Sequence, residues 1–74
     1  MRTYRFHSLS REGAAELARA LGEDGMAVET VEPGDHPLPG WGVVASGEDR
    51  SEGLLEMLAQ FYGGLYEGEG LSGA

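Results

Sequence analysis

The fold of this chain is decided near its end, where a helical pattern runs into two glycines and a new apolar segment begins at once. The stretch reads Leu58-Ala59-Gln60-Phe61-Tyr62-Gly63-Gly64-Leu65-Tyr66-Glu67-Gly68. Gly63 can adopt the left-handed conformation that closes a helix, and Gly64 lets the backbone turn sharply after it. A helix that ends and leads directly into residues 65–67 predicts a last strand, added at the edge of a sheet.

Upstream of this stretch, the first half of the chain alternates between strand and helix patterns. Tyr4 and Phe6 alternate with polar residues, which is the period of a half-buried strand. Ser10 is a favourable N-cap for the helix that follows, and Gly22 is expected to end it. The apolar residues at helical spacing are Ala14, Leu17, Ala18 and Leu21. From Met26 the period returns to two, which predicts a second strand.

The second half repeats this order after a loop. Three prolines within residues 33–40 remove backbone donors and exclude regular structure there. Residues 41–46 are apolar enough to form a central strand. Asp49, followed three residues later by Glu52, resembles a capping box for the second helix. The predicted second helix has a broad apolar stripe, which comprises Leu54, Leu55, Leu58, Ala59, Phe61, Tyr62 and Leu65.

The predicted order is therefore strand, helix, strand, strand, helix, strand. With two right-handed crossovers it gives an α+β fold, the ferredoxin-like or split βαβ plait (βαββαβ). Its four-stranded antiparallel sheet carries both helices on one face, with the first and third strands central. We predict a single ferredoxin-like domain over residues 1–68 and a flexible C-terminal tail over 69–74, which is rich in glycine.

The charge balance limits the classes of partner. The chain has 74 residues and a net charge of −8, and its five basic residues are all arginines. Between Ala20 and Asp49 every charged side chain is acidic. Because such a surface repels phosphates, we expect no direct binding to nucleic acid. No apolar run reaches the roughly 20 residues of a membrane span, and the N-terminus lacks a signal-peptide core. We expect a cytoplasmic protein that does not bind membranes.

Residue types that carry chemistry are sparse. There is no cysteine, and His7 and His36 lie on different predicted elements without a third convergent ligand. No Ser-His-Asp order or Cys-His pair stands out, so we predict no catalytic residue, no cofactor and no metal, and thus no enzyme. RNA-binding plaits place stacking aromatics on the open sheet face. Here that face is expected to show Thr3, Arg5, His7 and Glu29, which do not form a stacking platform.

A protein contact is the better-supported kind of site. Trp41 and Tyr66 lie at a strand start and on the predicted edge strand, where aromatics serve as interface anchors; alternatively they cover the core. Acidic side chains near them are expected to attract arginines of a partner and to speed the encounter. The predicted partner-binding residues are Glu29, Glu32, Asp35, Trp41, Tyr66 and Glu67.

Several segments in this order resemble the regulator of ribonuclease E activity B family, the small ribonuclease E inhibitor proteins. The segments are Ala18-Arg19-Ala20-Leu21-Gly22, Met26-Ala27-Val28-Glu29, Trp41-Gly42-Val43-Val44-Ala45 and the 58–68 stretch. The sharpest likeness is the Gly-Gly-x-Tyr-acid-Gly ending, although Glu67 replaces the more frequent aspartate and Glu69 stands where a tryptophan is common. The resemblance implies a ferredoxin-like fold and a non-catalytic protein that binds an endoribonuclease and restrains RNA decay.

The leading hypothesis is a cytoplasmic bacterial regulator that binds a ribonuclease E-like enzyme and masks its arginine-rich segments. A second hypothesis is a self-associating adaptor, because an open sheet face and an unpaired edge strand are natural surfaces for a homodimer. A third is an acidic nucleic-acid mimic that occupies a DNA- or RNA-binding protein.

Overall fold

The computed structural model describes residues 2–69, and their elements follow the predicted order. The elements are β1 (Arg2–Leu9), α1 (Arg11–Glu23), β2 (Ala27–Val31), β3 (Trp41–Gly47), α2 (Glu52–Phe61) and β4 (Leu65–Glu69). The strands form one sheet in the order β2-β3-β1-β4, and every neighbouring pair is antiparallel. The ferredoxin-like plait is confirmed. The predicted tail begins at the last residue of β4, and residues 70–74 lie outside the described part of the chain.

The core lies between the helices and one face of the sheet. Tyr4 and Phe6 of β1 point into it, as their alternation predicted, and they meet side chains such as Leu17 and Leu55 from the two helices. The buried cluster comprises Tyr4, Phe6, Leu9, Ala14, Leu17, Leu21, Met26, Val43, Ala45, Leu55 and Ala59. Burying each large side chain of this kind contributes about 1.5–3 kcal/mol, and this burial holds both helices on the same face.

The start of α1 is confirmed and its end is corrected. The backbone N–H of Gly13 donates to Oγ of Ser10 at 2.9 Å, which is the expected N-cap. The helix does not end at Gly22 but continues to Glu23, and the left-handed residue that follows is Gly25, with φ 92°. A glycine inside a helix costs only about 1 kcal/mol, which is too little to end a helix whose turn lies further on.

The start of α2 differs from the predicted capping box. The cap is Ser51, whose Oγ accepts from the backbone N–H of Leu54 at a long 3.4 Å. Asp49 instead accepts a hydrogen bond from Nε of Arg2 at 2.6 Å. Because the first helical residue is Glu52, Asp49 lies too far upstream to reach the free N–H groups of the first turn.

The two glycines after α2 have different roles. Gly63 has φ 85° and closes the helix in the left-handed conformation, as predicted. Gly64, which was expected to allow a sharp turn, also makes a close approach to β1. A Cβ atom at Gly64 would lie 2.5 Å from Cδ2 of Leu9 and 2.8 Å from the carbonyl oxygen of His7. The absence of a side chain at Gly64 therefore lets β4 begin beside β1.

The end of β1 contains an irregularity that shapes the neighbouring loop. The register with β3 shifts between Phe6 and Leu9, and Ser8 has φ 61°. Between these two points β1 has one residue more than β3. This extra residue returns Leu9 to the core face, where it is buried. The backbone N–H of Ser8 donates to the carbonyl of Pro39 at 2.8 Å, which ties the proline-rich loop to β1.

Candidate functional site

The acidic residues predicted to bind a partner begin on an outer strand of the sheet. β2 pairs with β3 alone among the described strands, so its other side is an edge. Glu29 lies on this strand, exposed and in register with Val44. Its neighbour Val28 packs toward the core, so the alternation of the strand turns Glu29 to the opposite, open face.

A tight turn continues this acidic surface beyond β2. The backbone N–H of Asp35 donates to the carbonyl of Glu32 at 3.1 Å, and Gly34 has φ 98°. Pro33 followed by a glycine with positive φ is the signature of a type II turn. Such a turn brings its first and last residues within about 7 Å, so the exposed Glu32 and Asp35 lie side by side. We call the surface formed by Glu29, Glu32 and Asp35 the acidic edge.

The three carboxylates of the acidic edge are not neutralised by the chain itself. Among residues 2–67, whose side chains the structure describes, the acids paired with arginines at 4.0 Å or less are Asp49, Glu23 and Asp24, whose partners are Arg2, Arg19 and Arg50. None of these acids belongs to the acidic edge. Its charges therefore face solvent and are available to an incoming cation.

The two predicted aromatic anchors both contact the core. Trp41 is half-buried and lies one residue beyond the Val31–Gly42 pair, at the end of the ladder where the acidic edge begins. Tyr66 packs its ring against Phe6, with ring centroids 5.3 Å apart. Both aromatics thus cover the core, and Trp41 in addition borders the acidic edge.

The six predicted partner-binding residues do not form one surface. Tyr66 and the exposed Glu67 belong to β4, at the opposite edge of the sheet from β2. Three inter-strand spacings of about 4.8 Å separate the two edges, or about 14 Å. Glu29, Glu32, Asp35 and Trp41 lie at one edge, and Tyr66 and Glu67 lie at the other.

The open face of the sheet is partly covered by the proline-rich loop. Nε2 of His36 lies 3.0 Å from the carbonyl oxygen of Gly40, and the ring rests against Gly42 of β3. Nδ1 of His7 lies 2.9 Å from Oγ of Ser8. Among the side chains that the structure describes, those of residues 2–67, no group of three or more histidines, aspartates and glutamates is placed to hold a metal ion. The two histidines therefore make local contacts, His36 within the proline-rich loop and His7 at the end of β1.

A surface pocket with a volume of about 340 Å³ adjoins Arg50. The guanidinium donates to Oδ2 of Asp24 at 3.0 Å, to the carbonyl of Asp24 at 3.1 Å and to the carbonyl of Asp49 at 3.3 Å. All three of its nitrogens are thereby engaged within the chain. Arg50 ties the start of α2 to the turn after α1.

A second surface was missed by the sequence reasoning. Two members of the predicted apolar stripe of α2, Leu54 and Phe61, are 47% and 79% exposed, and Met57, which was not part of that set, is 68% exposed. Leu65, assigned to the same stripe, lies in β4 instead. We call Leu54, Met57 and Phe61 the α2 stripe; they recur at i, i+3 and i+7 on one side of the helix. The sequence does contain a sign of this exposure. Apolar side chains in residues 54–62 are spread around more of the helix circumference than one packed face can cover, so some of them must face solvent.

No protein-family model, curated protein or solved structure matches this chain. Neither α1 nor α2 combines the length and the apolar character that a crossing of the bilayer requires. The inference about function therefore depends on the surfaces described above.

Proposed function

We propose that this protein is a non-catalytic regulator that binds another protein through its acidic edge. The partner surface that fits this edge is a flexible segment rich in arginine. By occupying that segment, the protein lowers the activity of an enzyme that uses the same arginines to hold RNA.

The observation that supports the proposal best is the position of three carboxylates, which no described residue pairs, beside a strand edge that no described strand covers. The edge of β2 offers backbone N–H and C=O groups to an added segment, while Glu29, Glu32 and Asp35 offer charge. Strand addition of this kind obtains affinity from main-chain hydrogen bonds and specificity from side chains. Arginine suits the role because its planar guanidinium binds carboxylates in a bidentate manner.

The size of the electrostatic contribution follows from the exposure of these groups. An exposed ion pair contributes about 0–1 kcal/mol, so three pairs contribute at most about 3 kcal/mol. That corresponds to roughly a hundredfold in affinity. Long-range attraction also raises the association rate, and this effect weakens as salt screens the charges.

The identity of the partner is proposed from the resemblance to the ribonuclease E inhibitor proteins. A ribonuclease E-like endoribonuclease must bind polyanionic RNA, and the cations that do so are suitable targets for an acidic competitor. The confirmed plait agrees with the fold that the resemblance implies. Because one fold hosts many functions, the fold by itself does not identify the partner.

The direct test is cleavage of a single-stranded RNA by a ribonuclease E-like enzyme with increasing amounts of the purified protein. We expect inhibition that depends on dose and that weakens between low and physiological salt. The test variant combines Glu29→Gln, Glu32→Gln and Asp35→Asn. Its inhibition constant should rise about ten- to a hundredfold.

A matched control keeps the change in net charge the same at other exposed sites. Glu12→Gln, Glu16→Gln and Glu48→Gln remove three charges away from the acidic edge. This control should inhibit nearly as well as the unmodified protein. Equal loss in the two triple variants would show that overall charge acts rather than the edge. No inhibition by the folded, unmodified protein would exclude this enzyme as the target.

A further inference from the structure

The α2 stripe is a group of large apolar side chains that the described part of the fold leaves open. Among the described residues the exposed large apolar side chains are Leu54, Met57, Phe61 and Leu65, and the first three share one helix. Leu58 is half-buried and packs against the core beside them. The stripe therefore continues the core to the surface along the length of α2.

The extent of the stripe suits a small partner element. An aromatic side chain carries about 150–250 Å² of surface, and Phe61 is 79% exposed. With Met57 and Leu54 the stripe spans on the order of a few hundred Å², the size at which apolar patches are often functional. A stable dimer needs roughly 800 Å² from each partner. The stripe alone is too small for a second copy and is sufficient for one face of a helix.

The charges that α2 itself carries favour a basic occupant. α2 carries Glu52 and Glu56, both exposed, and no basic side chain. Its last turn lacks a base that would offset the negative end of the helix dipole. A ten-residue helix is only about 15 Å long, so these charges act along the whole stripe. A second copy of α2 would bring acid against acid, whereas lysine or arginine beside an apolar stripe would be attracted.

We infer that the α2 stripe is a docking surface for a basic amphipathic helix of a partner protein. Apolar residues of that helix at i, i+3, i+4 and i+7 would pack on Leu54, Met57 and Phe61. Its flanking lysines and arginines would face Glu52 and Glu56 and the C-terminal end of α2. This surface is separate from the acidic edge and does not depend on the proposed function.

The test uses synthetic peptides of about 15 residues, near the shortest length at which isolated helices form. The first peptide has leucines at helical spacing with lysine and arginine at the other positions. The second is a scramble of the same composition, and the third has glutamate in place of each base. Binding to the whole protein is measured by fluorescence anisotropy at two salt concentrations.

We expect the basic amphipathic peptide to bind at least about tenfold more tightly than the scramble and the acidic peptide. The double variant Met57→Ser, Phe61→Ser should weaken its binding about tenfold or more. Both side chains are mostly exposed, so the variant should fold, which its circular dichroism checks. Leu65→Ser is the matched control: Leu65 is also exposed but pairs with His7 on the open side of the sheet, and its variant should bind normally.

Three results would overturn the inference. The first is equal binding of the basic peptide and its scramble, which would mean that charge alone acts. The second is unchanged binding by Met57→Ser, Phe61→Ser. The third is a dimer in solution that dissociates in this double variant, which would make a second copy the occupant. The acidic-edge variant should still bind the basic peptide, so a failure of one proposal is distinguishable from a failure of the other.

Discussion

Replacing Gly64 by alanine tests the junction between α2 and β4 most directly. The added Cβ would lie 2.5 Å from Cδ2 and 2.6 Å from Cγ of Leu9. Carbon atoms in good contact are about 3.5–4.0 Å apart, so the overlap is on the order of 1 Å. Leu9 is 3% exposed and has little room to move away. The carbonyl oxygen of His7, 2.8 Å from the new atom, belongs to the backbone and cannot rotate aside.

The expected cost can be compared with the stability of the whole domain. Overpacking a core by one methyl group costs about 1–3 kcal/mol, and the backbone contact places Gly64→Ala near 3 kcal/mol. A domain of 74 residues has a free energy of unfolding of about 4–11 kcal/mol. For a domain of this length, 3 kcal/mol lowers the Tm by about 12–24 °C. The variant should fold, with a large part of its stability lost.

Gly63→Ala is the matched control, because it changes the adjacent glycine without a steric clash. No atom lies within 4 Å of a Cβ at Gly63, and the penalty comes from its φ of 85° alone. A left-handed alanine costs about 1–2 kcal/mol, partly offset by a gain of 0.4–1 kcal/mol through the unfolded state. The net cost is about 1 kcal/mol. The gain through the unfolded state is common to both variants, so Gly64→Ala should be less stable than Gly63→Ala by about 1–2 kcal/mol.

Urea unfolding followed by the fluorescence of Trp41, the single tryptophan, measures these differences. A double-mutant cycle with Leu9→Ala adds a direct test of the contact. Leu9→Ala removes the overlapping atoms, so the double variant should be at least 1 kcal/mol more stable than the sum of the single costs predicts. Additive costs, or a Gly63→Ala variant less stable than Gly64→Ala, would refute the close-approach argument.

Further predictions concern the two N-caps, a glycine inside α2 and the Arg50 contact, and the same urea unfolding measurement checks each of them. Ser10→Ala should cost about 1 kcal/mol by removing a good N-cap, whereas Ser51→Ala should cost less because its hydrogen bond is long. Gly53→Ala should stabilise the protein by about 0.5–1 kcal/mol, since Gly53 is exposed inside α2 and its Cβ would meet only Oγ of Ser51, at 3.7 Å. Arg50→Met should cost about 1–2 kcal/mol by releasing Asp24 from a half-buried arginine; a neutral result would show that this contact is not maintained in solution.

The order of elements follows from local patterns in the sequence. Alternation around Tyr4 and Phe6, helical spacing in the two apolar sets and the prolines of residues 33–39 each reflect a backbone geometry that neighbouring residues determine. Because right-handed crossovers leave few ways to join these elements, the plait could be predicted as well. The left-handed conformation of Gly63 could also be predicted from the sequence, because it depends on the neighbouring residues that end the helix.

Helix ends were predicted less well, because a cap depends on where the turn falls as well as on residue type. Asp49 and Ser51 are both good capping residues, and the path from β3 into α2 decides in favour of Ser51. Gly22 and Gly25 are likewise both suitable for a helix end. The chain adopts the left-handed conformation at Gly25, next to the start of β2.

Local patterns in the sequence specify the elements, their order and the strong negative charge of the middle of the chain. Which residues share a surface depends on how these elements pack in three dimensions. The packing brings Glu32 and Asp35 side by side in the turn after β2, and it leaves the α2 stripe exposed. The reason is that period and propensity describe each segment separately. Which side of a helix is covered depends on the width and spacing of the sheet beneath it, and those arise from strands that are distant in the chain.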